Sequence, residues 1–312
     1  MICVENLSKR FDDFSAVDNL SFTVSQGEVL GFLGPNGAGK STTMKIISGF
    51  LAATSGNVSV CGFDVSEQPM KVQEIMGYLP EGAPAYSEMT VKAFLGFIAQ
   101  VRGFKGDERR QRIQTVVEKV QLQAVMNQVI DTLSKGFVRR VGIAQAIMHD
   151  PKVLILDEPT DGLDPNQKHQ VRELIKSLAK DKIVIISTHI LEEVSAVCTR
   201  ALIINQGKLL LDGKPSELET QSRHHNAIAL QLMDEKVGAL EALQTISGIK
   251  SVEQVNGRSF MLFPDNGAML LPELVRFMDQ QGWQVENLHI EKGRLEDVFR
   301  QVTSTIQQEA LL

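Results

Sequence analysis

The chain has 312 residues, 43% hydrophobic and 22% charged, enough for one large domain with its own core and a small second one. A formal net charge of −6 argues against a general nucleic-acid binder. The scattered Cys3, Cys61 and Cys198 form neither a CxxC pair nor a disulfide framework, which suits a reducing compartment.

Taken in order, Ile2 to Asp13 alternates apolar and polar residues as an edge strand does, and turns at Asp12-Asp13. Phe22 to Val24 and Val29 to Leu33 read as further strands, the second one buried. A helix is expected from Ser41 to about Phe50, a short strand at Val58 to Val60, and a helical segment from Gln68 to Met76. Thr90 to His149 reads as almost continuous helix, with Phe94, Phe97, Ile98 and Val101 on one stripe and Ile113, Val116, Val117 and Val120 on another. Both stripes are read as core packing. Leu133-Ser134-Lys135-Gly136-Phe137 interrupts this region ahead of a helix from Val138 to Met148.

Val153-Leu154-Ile155-Leu156 has the composition of a fully buried parallel strand and ends in Asp157-Glu158-Pro159. The carboxylates therefore emerge at the C-terminal edge of a sheet, where open α/β folds bind ligands. A helix from about Asn166 to Ala179, a buried strand from Ile183 to Ser187, a helix from Leu191 to Cys198 and strands at Ala201 to Asn205 and Lys208 to Asp212 follow. The polar stretch Glu219 to Asn226 marks a boundary, dividing domains at 1–220 and 221–312. Beyond it the order strand, helix, strand, strand, helix, strand suggests a small α+β sandwich of ferredoxin-like type, with Phe277 and Trp283 in its core, closed by a helix from Leu295 to Val302. His224 and His225 lack further ligands at useful spacing, so no metal is assigned to them.

The most informative stretch is Gly34, Pro35, Asn36, Gly37, Ala38, Gly39, Lys40, Ser41 and Thr42, which fits the GxxxxGKS/T phosphate loop between a strand and a helix. Glycines let such a loop wrap a phosphate closely and aim N–H groups inward, and the helix start adds its positive dipole end. In this motif Lys40 reaches the β- and γ-phosphates, Ser41 ligates Mg²⁺ and Thr42 supports the α-phosphate. A chance glycine-rich turn is set aside because both flanks fit. Asp157 is then the acid expected to hold Mg²⁺, Glu158 the general base for the attacking water, and His189, after Ser187-Thr188, a donor to the γ-phosphate.

From Met1 to about Leu218 these pieces, in this order, resemble the ATP-binding cassette family. Phe11 matches its adenine-stacking aromatic, Glu81 its Gln-loop position, LSKGF its signature, and Gly162-Leu163-Asp164 its D-loop. The resemblance implies an α/β phosphate-loop ATPase core with a helical subdomain at about 88–150 and an antiparallel β subdomain. It also implies ATP and Mg²⁺ as cofactors, with Glu81 joining Ser41 and Asp157 at the metal. Two copies would pair head to tail as a homodimer, Ser134 and Gly136 contacting the γ-phosphate on the partner and Asp164 coupling the two sites. Three positions depart from the common pattern: Glu81 for glutamine, Lys135 for the second signature glycine, and Phe137 for glutamine.

YLPE with LSKGF is similar to the exporter branch related to gliding-motility, multidrug, sodium and lipooligosaccharide systems. That implies the ATPase subunit of an exporter, cytoplasmic and peripheral at the inner membrane, driving a separate integral membrane permease and binding no nucleic acid. No apolar run approaches the roughly 18–20 residues that span a bilayer, and the opening MICVENLSKRF carries charges where a signal peptide needs an apolar stretch. Two other readings stay open: a cassette ATPase uncoupled from transport, acting on ribosomes or DNA, and a nucleotide-binding regulator that does not hydrolyse. Only one phosphate loop and no long heptad run weigh against the first, and intact Glu158 and His189 against the second.

Overall fold

A computed structural model describes residues 1–82, 85–265 and 267–309, and the chain divides into two compact units, Met1–Gly213 and the residues from Lys214 onward. The helix Pro215–Glu219 thus falls in the second unit, ahead of the polar stretch at which the sequence suggested a boundary.

The first unit is built on a six-stranded sheet. Its strands are β3 (Val29–Leu33), β6 (Met76–Leu79), β7 (Val153–Asp157), β8 (Ile183–Thr188), β9 (Arg200–Asn205) and β10 (Lys208–Gly213), in the order β10-β9-β3-β8-β7-β6. All neighbours are parallel except β10 on β9. Strands VLGFL, VLILD and IVIIST are buried along their whole length, which explains why they read as apolar runs and not as alternation. Successive residues feed opposite faces: Val153 and Ile155 join one apolar layer, Leu154 and Leu156 the other. Both faces are covered, so the C-terminal strand edge is the exposed place to build a site.

A four-stranded antiparallel sheet, β2-β1-β4-β5, packs into the first of these layers; it contains β1 (Ile2–Phe11), β2 (Phe14–Val24), β4 (Ser55–Val60) and β5 (Phe63–Asp64). Strand β2 is longer than the sequence indicated, and β1 and β2 close as a hairpin in which Phe11 faces Phe14 across the turn. Asp12 there has φ 48°, a left-handed conformation that aspartate tolerates in turns.

The region after Thr90 is less continuous than the sequence indicated: α3 (Val91–Val101) and α4 (Gly106–Lys119) are joined by a short turn, and α4 is separated from α5 (Lys135–Ile147) by a longer segment with two single 3-10 turns, Gln123–Val125 and Ile130–Thr132. Thr90 caps α3, accepting from the Ala93 N–H at 3.2 Å. The expected stripes are only partly core. Phe94, Val116, Val117 and Val120 are buried, whereas Phe97 and Val101 are 40% and 66% exposed. Helices α4 and α5 cover one side of α3, and the apolar stripe of α3 is wider than that side. The other helices of this unit are α1 (Lys40–Ile47), α2 (Pro69–Glu74), α6 (Pro165–Ala179) and α7 (Leu191–Val197).

The second unit runs α8 (Pro215–Glu219), β11 (Ile228–Leu232), α9 (Ala239–Gln244), β12 (Ile249–Asn256), β13 (Ser259–Pro264), α10 (Leu271–Gln281), β14 (Val285–Ile290) and α11 (Leu295–Glu309). Its strands pair antiparallel in the order β12-β13-β11-β14, the ferredoxin-like arrangement. Phe277 and Trp283 pack edge to face against its core, ring centroids 5.6 Å apart.

Candidate functional site

The loop 34–39 leaves β3 and enters α1, and its glycines are required by geometry. A Cβ on Gly34 would lie 2.5 Å from the Ile204 carbonyl oxygen. Gly39 has φ 102°, and a Cβ there would lie 2.4 Å from the Ala16 oxygen. The loop lines a cleft of about 500 Å³ with Asn36 through Thr42, and Phe14, Ala16, Glu81, Glu158, Asp161 and His189 complete the wall. Residues more than a hundred positions apart thus meet at one sheet edge.

Lys40 is buried and its Nζ donates to the Gly34 oxygen at 2.7 Å and to the Pro35 oxygen at 3.2 Å. Burial lowers its pKa, opposed by the charges of Glu158, Asp157 and Glu81, so three carboxylates share the field of one lysine. Asp157 ends β7, almost completely buried. Its Oδ1 accepts from the Ser187 hydroxyl; its Oδ2 is buried and has no hydrogen-bond partner among the described residues. An orphaned buried carboxylate oxygen is costly unless something charged or hydrogen-bonding satisfies it. Carboxylate and hydroxyl oxygens, here Asp157 Oδ2 and the Ser41 hydroxyl of the cleft wall, are the ligand types a hard divalent cation such as Mg²⁺ takes.

Glu158 follows in a left-handed conformation, φ 49°, which is strained for a residue with a Cβ. Its N–H donates to the Ser187 backbone oxygen at 3.1 Å and lies 3.2 Å from the Ser187 hydroxyl oxygen, which holds the turn. The side chain returns to the cleft, where His189 Nδ1 stands 3.0 Å from each carboxylate oxygen. Burial raises the Glu158 pKa; the hydrogen bond and charge of His189, and the charge of Lys40, pull it back. A carboxylate in this setting can accept a proton near neutral pH more readily than one in water.

Other expected residues lie elsewhere. Glu81, exposed after β6, lines the cleft; its neighbours 83 and 84 lie outside the described residues. Phe11 does not line it: its exposed ring sits 5.0 Å from Lys9 Nζ, and the aromatic in the wall is Phe14, its hairpin partner. Ser134, Gly136 and Asp164 are also outside the cleft. Ser134 caps α5, its hydroxyl accepting from Phe137 N–H at 3.5 Å; Asp164 caps α6, accepting from Gln167 N–H at 2.9 Å. The two helix starts abut, since a Cβ on Gly136 would fall 2.6 Å from the Gln167 side chain. Phe14, Ala16, Asp161 and Ser187 escaped the sequence reading. Only Ser187 carried a signal, as the strand position paired with Asp157.

The family model described as ABC transporter matches residues 17–161. The Nod factor export ATP-binding protein I of Burkholderia pseudomallei is 31% identical over 96% of this chain and 95% of its own length. A probable multidrug ABC transporter ATP-binding protein of Escherichia coli, YbhF, is 37% identical over 71% of this chain; the match spans only 38% of that longer protein. Among solved structures, cbiO1 of Clostridium perfringens, described as part of the ABC transporter complex cbiONQ, superposes with a TM-score of 0.64 at 29% identity, covering 70% of this chain and 89% of that one. The phosphate loop, the acidic strand end and the histidine beside it are thus set in a cassette fold shared with proteins of one kind, and the chain belongs to the ABC transporter ATP-binding family of ATPases.

Proposed function

We propose that this chain is the ATP-hydrolysing subunit of a membrane exporter, acting as a homodimer that closes head to tail on two ATP and drives a separate permease. The observation that carries the reading is the single cleft holding Lys40, Glu158 and His189 around the phosphate loop, with Asp157 buried behind it. Bound Mg²⁺, on Ser41, Asp157 and Glu81, would neutralise phosphate charge. Lys40 would exchange its two loop carbonyls for phosphate oxygens. Glu158 takes the proton of the attacking water, and His189, fixed through Nδ1, steadies that carboxylate and offers its ring to the γ-phosphate. Thr42 and the backbone of residues 35–39 hold the remaining phosphates; Phe14, with Phe11 beside it, forms the aromatic flank for the base.

Ser134, Gly136 and Asp164 lie at two abutting helix starts outside the cleft, which fits a role toward a partner's nucleotide. For the permease, the same unit offers a second groove of about 730 Å³ whose lining includes Phe50, Met70, Tyr78, Pro80, Ile98 and Val101. It lies between core and helical region beside Glu81, and its apolar floor suits a helix or loop end of a membrane protein. The relatives named for multidrug transport and Nod factor export support the exporter reading. No helix among the described residues is long and apolar enough to cross a membrane, which fits a subunit placed at the cytoplasmic face by its partner. The small second unit would serve as an accessory module.

The test is Mg-ATP hydrolysis by the purified chain against protein concentration, with Glu158→Gln alongside. Specific activity should rise with concentration and fall by about 10²–10⁴-fold in the variant, which should accumulate ATP-bound dimers. Turnover independent of concentration and unchanged by E158Q would overturn the assignment.

A further inference from the structure

Glu193, on α7, is a carboxylate with 4% exposure, outside the lining of the cleft. Its Oε2 accepts from the Thr188 hydroxyl at 2.9 Å, and its Oε1 accepts from the Thr160 hydroxyl. The Thr188 oxygen also accepts from the Ile190 N–H at 3.0 Å. The network therefore runs from Ile190 through Thr188 to Glu193 and ends on Thr160, both carboxylate oxygens engaged. Burying a carboxylate costs free energy that such hydrogen bonds offset only when the geometry is complete. A pair of apolar side chains would fill the same space without that cost, so the residue type calls for an explanation beyond packing.

The positions it joins supply one. The β7–β8 ladder ends at the pair Asp157 and Ser187, extended only by the Glu158 N–H on the Ser187 oxygen. Past that point Thr188 stays paired to Leu33 of β3 on its other side, but no ladder joins it to the segment that follows Asp157. Thr188 immediately precedes His189, and Thr160 follows Glu158 by two residues. The strained φ of Glu158 persists only if its surroundings hold it. Glu193 ties the two segments together where the β7–β8 pairing stops doing so.

We propose that Glu193 is a positioning residue for hydrolysis: by bridging Thr160 and Thr188 it keeps the Glu158 and His189 segments in register and sets the 3.0 Å contact between their side chains. The inference rests on the reading of Glu158 as general base given above. It touches neither the phosphate loop nor the base pocket, so it acts on turnover and leaves nucleotide affinity alone.

The experiment uses the full chain and its Glu193→Ala, Glu193→Gln, Thr160→Val and Glu158→Gln variants, measuring Mg-ATP hydrolysis, folded fraction and binding of a fluorescent ATP analogue. For E193A, kcat should drop about 10- to 100-fold, the effect of a small misplacement of reacting groups, with the analogue's Kd within about twofold of wild type. T160V removes one leg of the bridge with little change of volume and should lower kcat by less, again with the analogue's Kd unchanged. E193Q keeps an acceptor for one hydroxyl and should recover most of kcat. An E193A or T160V enzyme whose kcat falls only with its folded fraction, or an E193Q enzyme as impaired as E193A, overturns the proposal. Wild-type turnover by E158Q would instead sink the base assignment and the inference with it; an inactive E158Q beside a normal E193A sinks the inference alone.

Discussion

His189 Nδ1 lies equidistant, at 3.0 Å, from both carboxylate oxygens of Glu158, across the ends of two neighbouring strands. A symmetric contact fixes the imidazole plane and leaves the glutamate's pKa to a contest that burial wins. The net effect is upward. As a base Glu158 must be deprotonated, so turnover should be lost as pH falls through a pKa above the usual value of about 4.3.

The same shift makes a stability prediction. A carboxylate whose folded-state pKa is raised favours the fold in its protonated form; its penalty is absent below the unfolded pKa and complete above the folded one. Glu158→Gln, which is neutral throughout, should therefore raise Tm at pH 8 by about 1–3 °C and leave it unchanged near pH 4. Thermal melts at the two pH values decide it: an equal shift at both, or a fall at pH 8, would show that burial is not the dominant cause.

Phe14 and Phe11 separate by the same logic of position. Only Phe14 lines the cleft, while Phe11 is occupied by Lys9 on the outer end of the hairpin. Base stacking on an aromatic is worth about 1–3 kcal/mol, so Phe14→Ala should weaken binding of a fluorescent ATP analogue roughly 5- to 150-fold. Phe11→Ala should cost less than half of that in free energy. The reverse ranking would return the stacking role to Phe11.

The apolar groove is lined in part by residues whose exposure already frees them from the core. Phe50 and Val101 are 65% and 66% exposed, yet both line the same apolar depression with Tyr78, whose ring stacks on Phe50 at 5.7 Å. Phe50→Asp and Val101→Asp should change folding stability by less than about 0.5 kcal/mol. In vesicles carrying the permease they should abolish transport-coupled stimulation while basal hydrolysis stays at its wild-type value. Loss of basal hydrolysis with coupling intact would count against docking there.

How much of this was legible follows from where each signal resides. Lys40, Asp157, Glu158 and His189 each sit at the end of a strand or the start of a helix whose apolar run announces it, so chain order alone brought them to one edge. The ferredoxin-like order of β11 to β14 was likewise readable, because each strand and helix there is short and separately punctuated. Phe14 was not, because which of two aromatics in a hairpin turns inward depends on the register Phe11 to Phe14 and on the loop it meets. Glu193 was not, because a helical glutamate reads as a solvated face until tertiary packing buries it. Phe97 and Val101 misled in the opposite sense. Periodicity reports that a face is apolar, not that the same chain covers it.

His149 lies two residues past the end of α5. Its Nε2 lies 3.0 Å from the Met76 carbonyl oxygen and must donate to it, which leaves Nδ1 as a buried lone pair with no partner among the described residues. Burial, helped by the charges of Arg102 and Arg112 and opposed by the Met76 hydrogen bond and Asp150, lowers its pKa to about 4. In the unfolded chain the ring titrates near 6.5. Between those values the unfolded state binds a proton that the folded state refuses. Stability from this group is thus complete above about pH 6.5 and falls away as pH drops toward 4. His149→Gln can keep a donor for Met76 and does not titrate. Denaturant unfolding at pH 7 and pH 5 should show a smaller loss of stability for H149Q than for wild type. Parallel losses in the two proteins would mean that His149 is not the group that makes the fold acid-sensitive in that window.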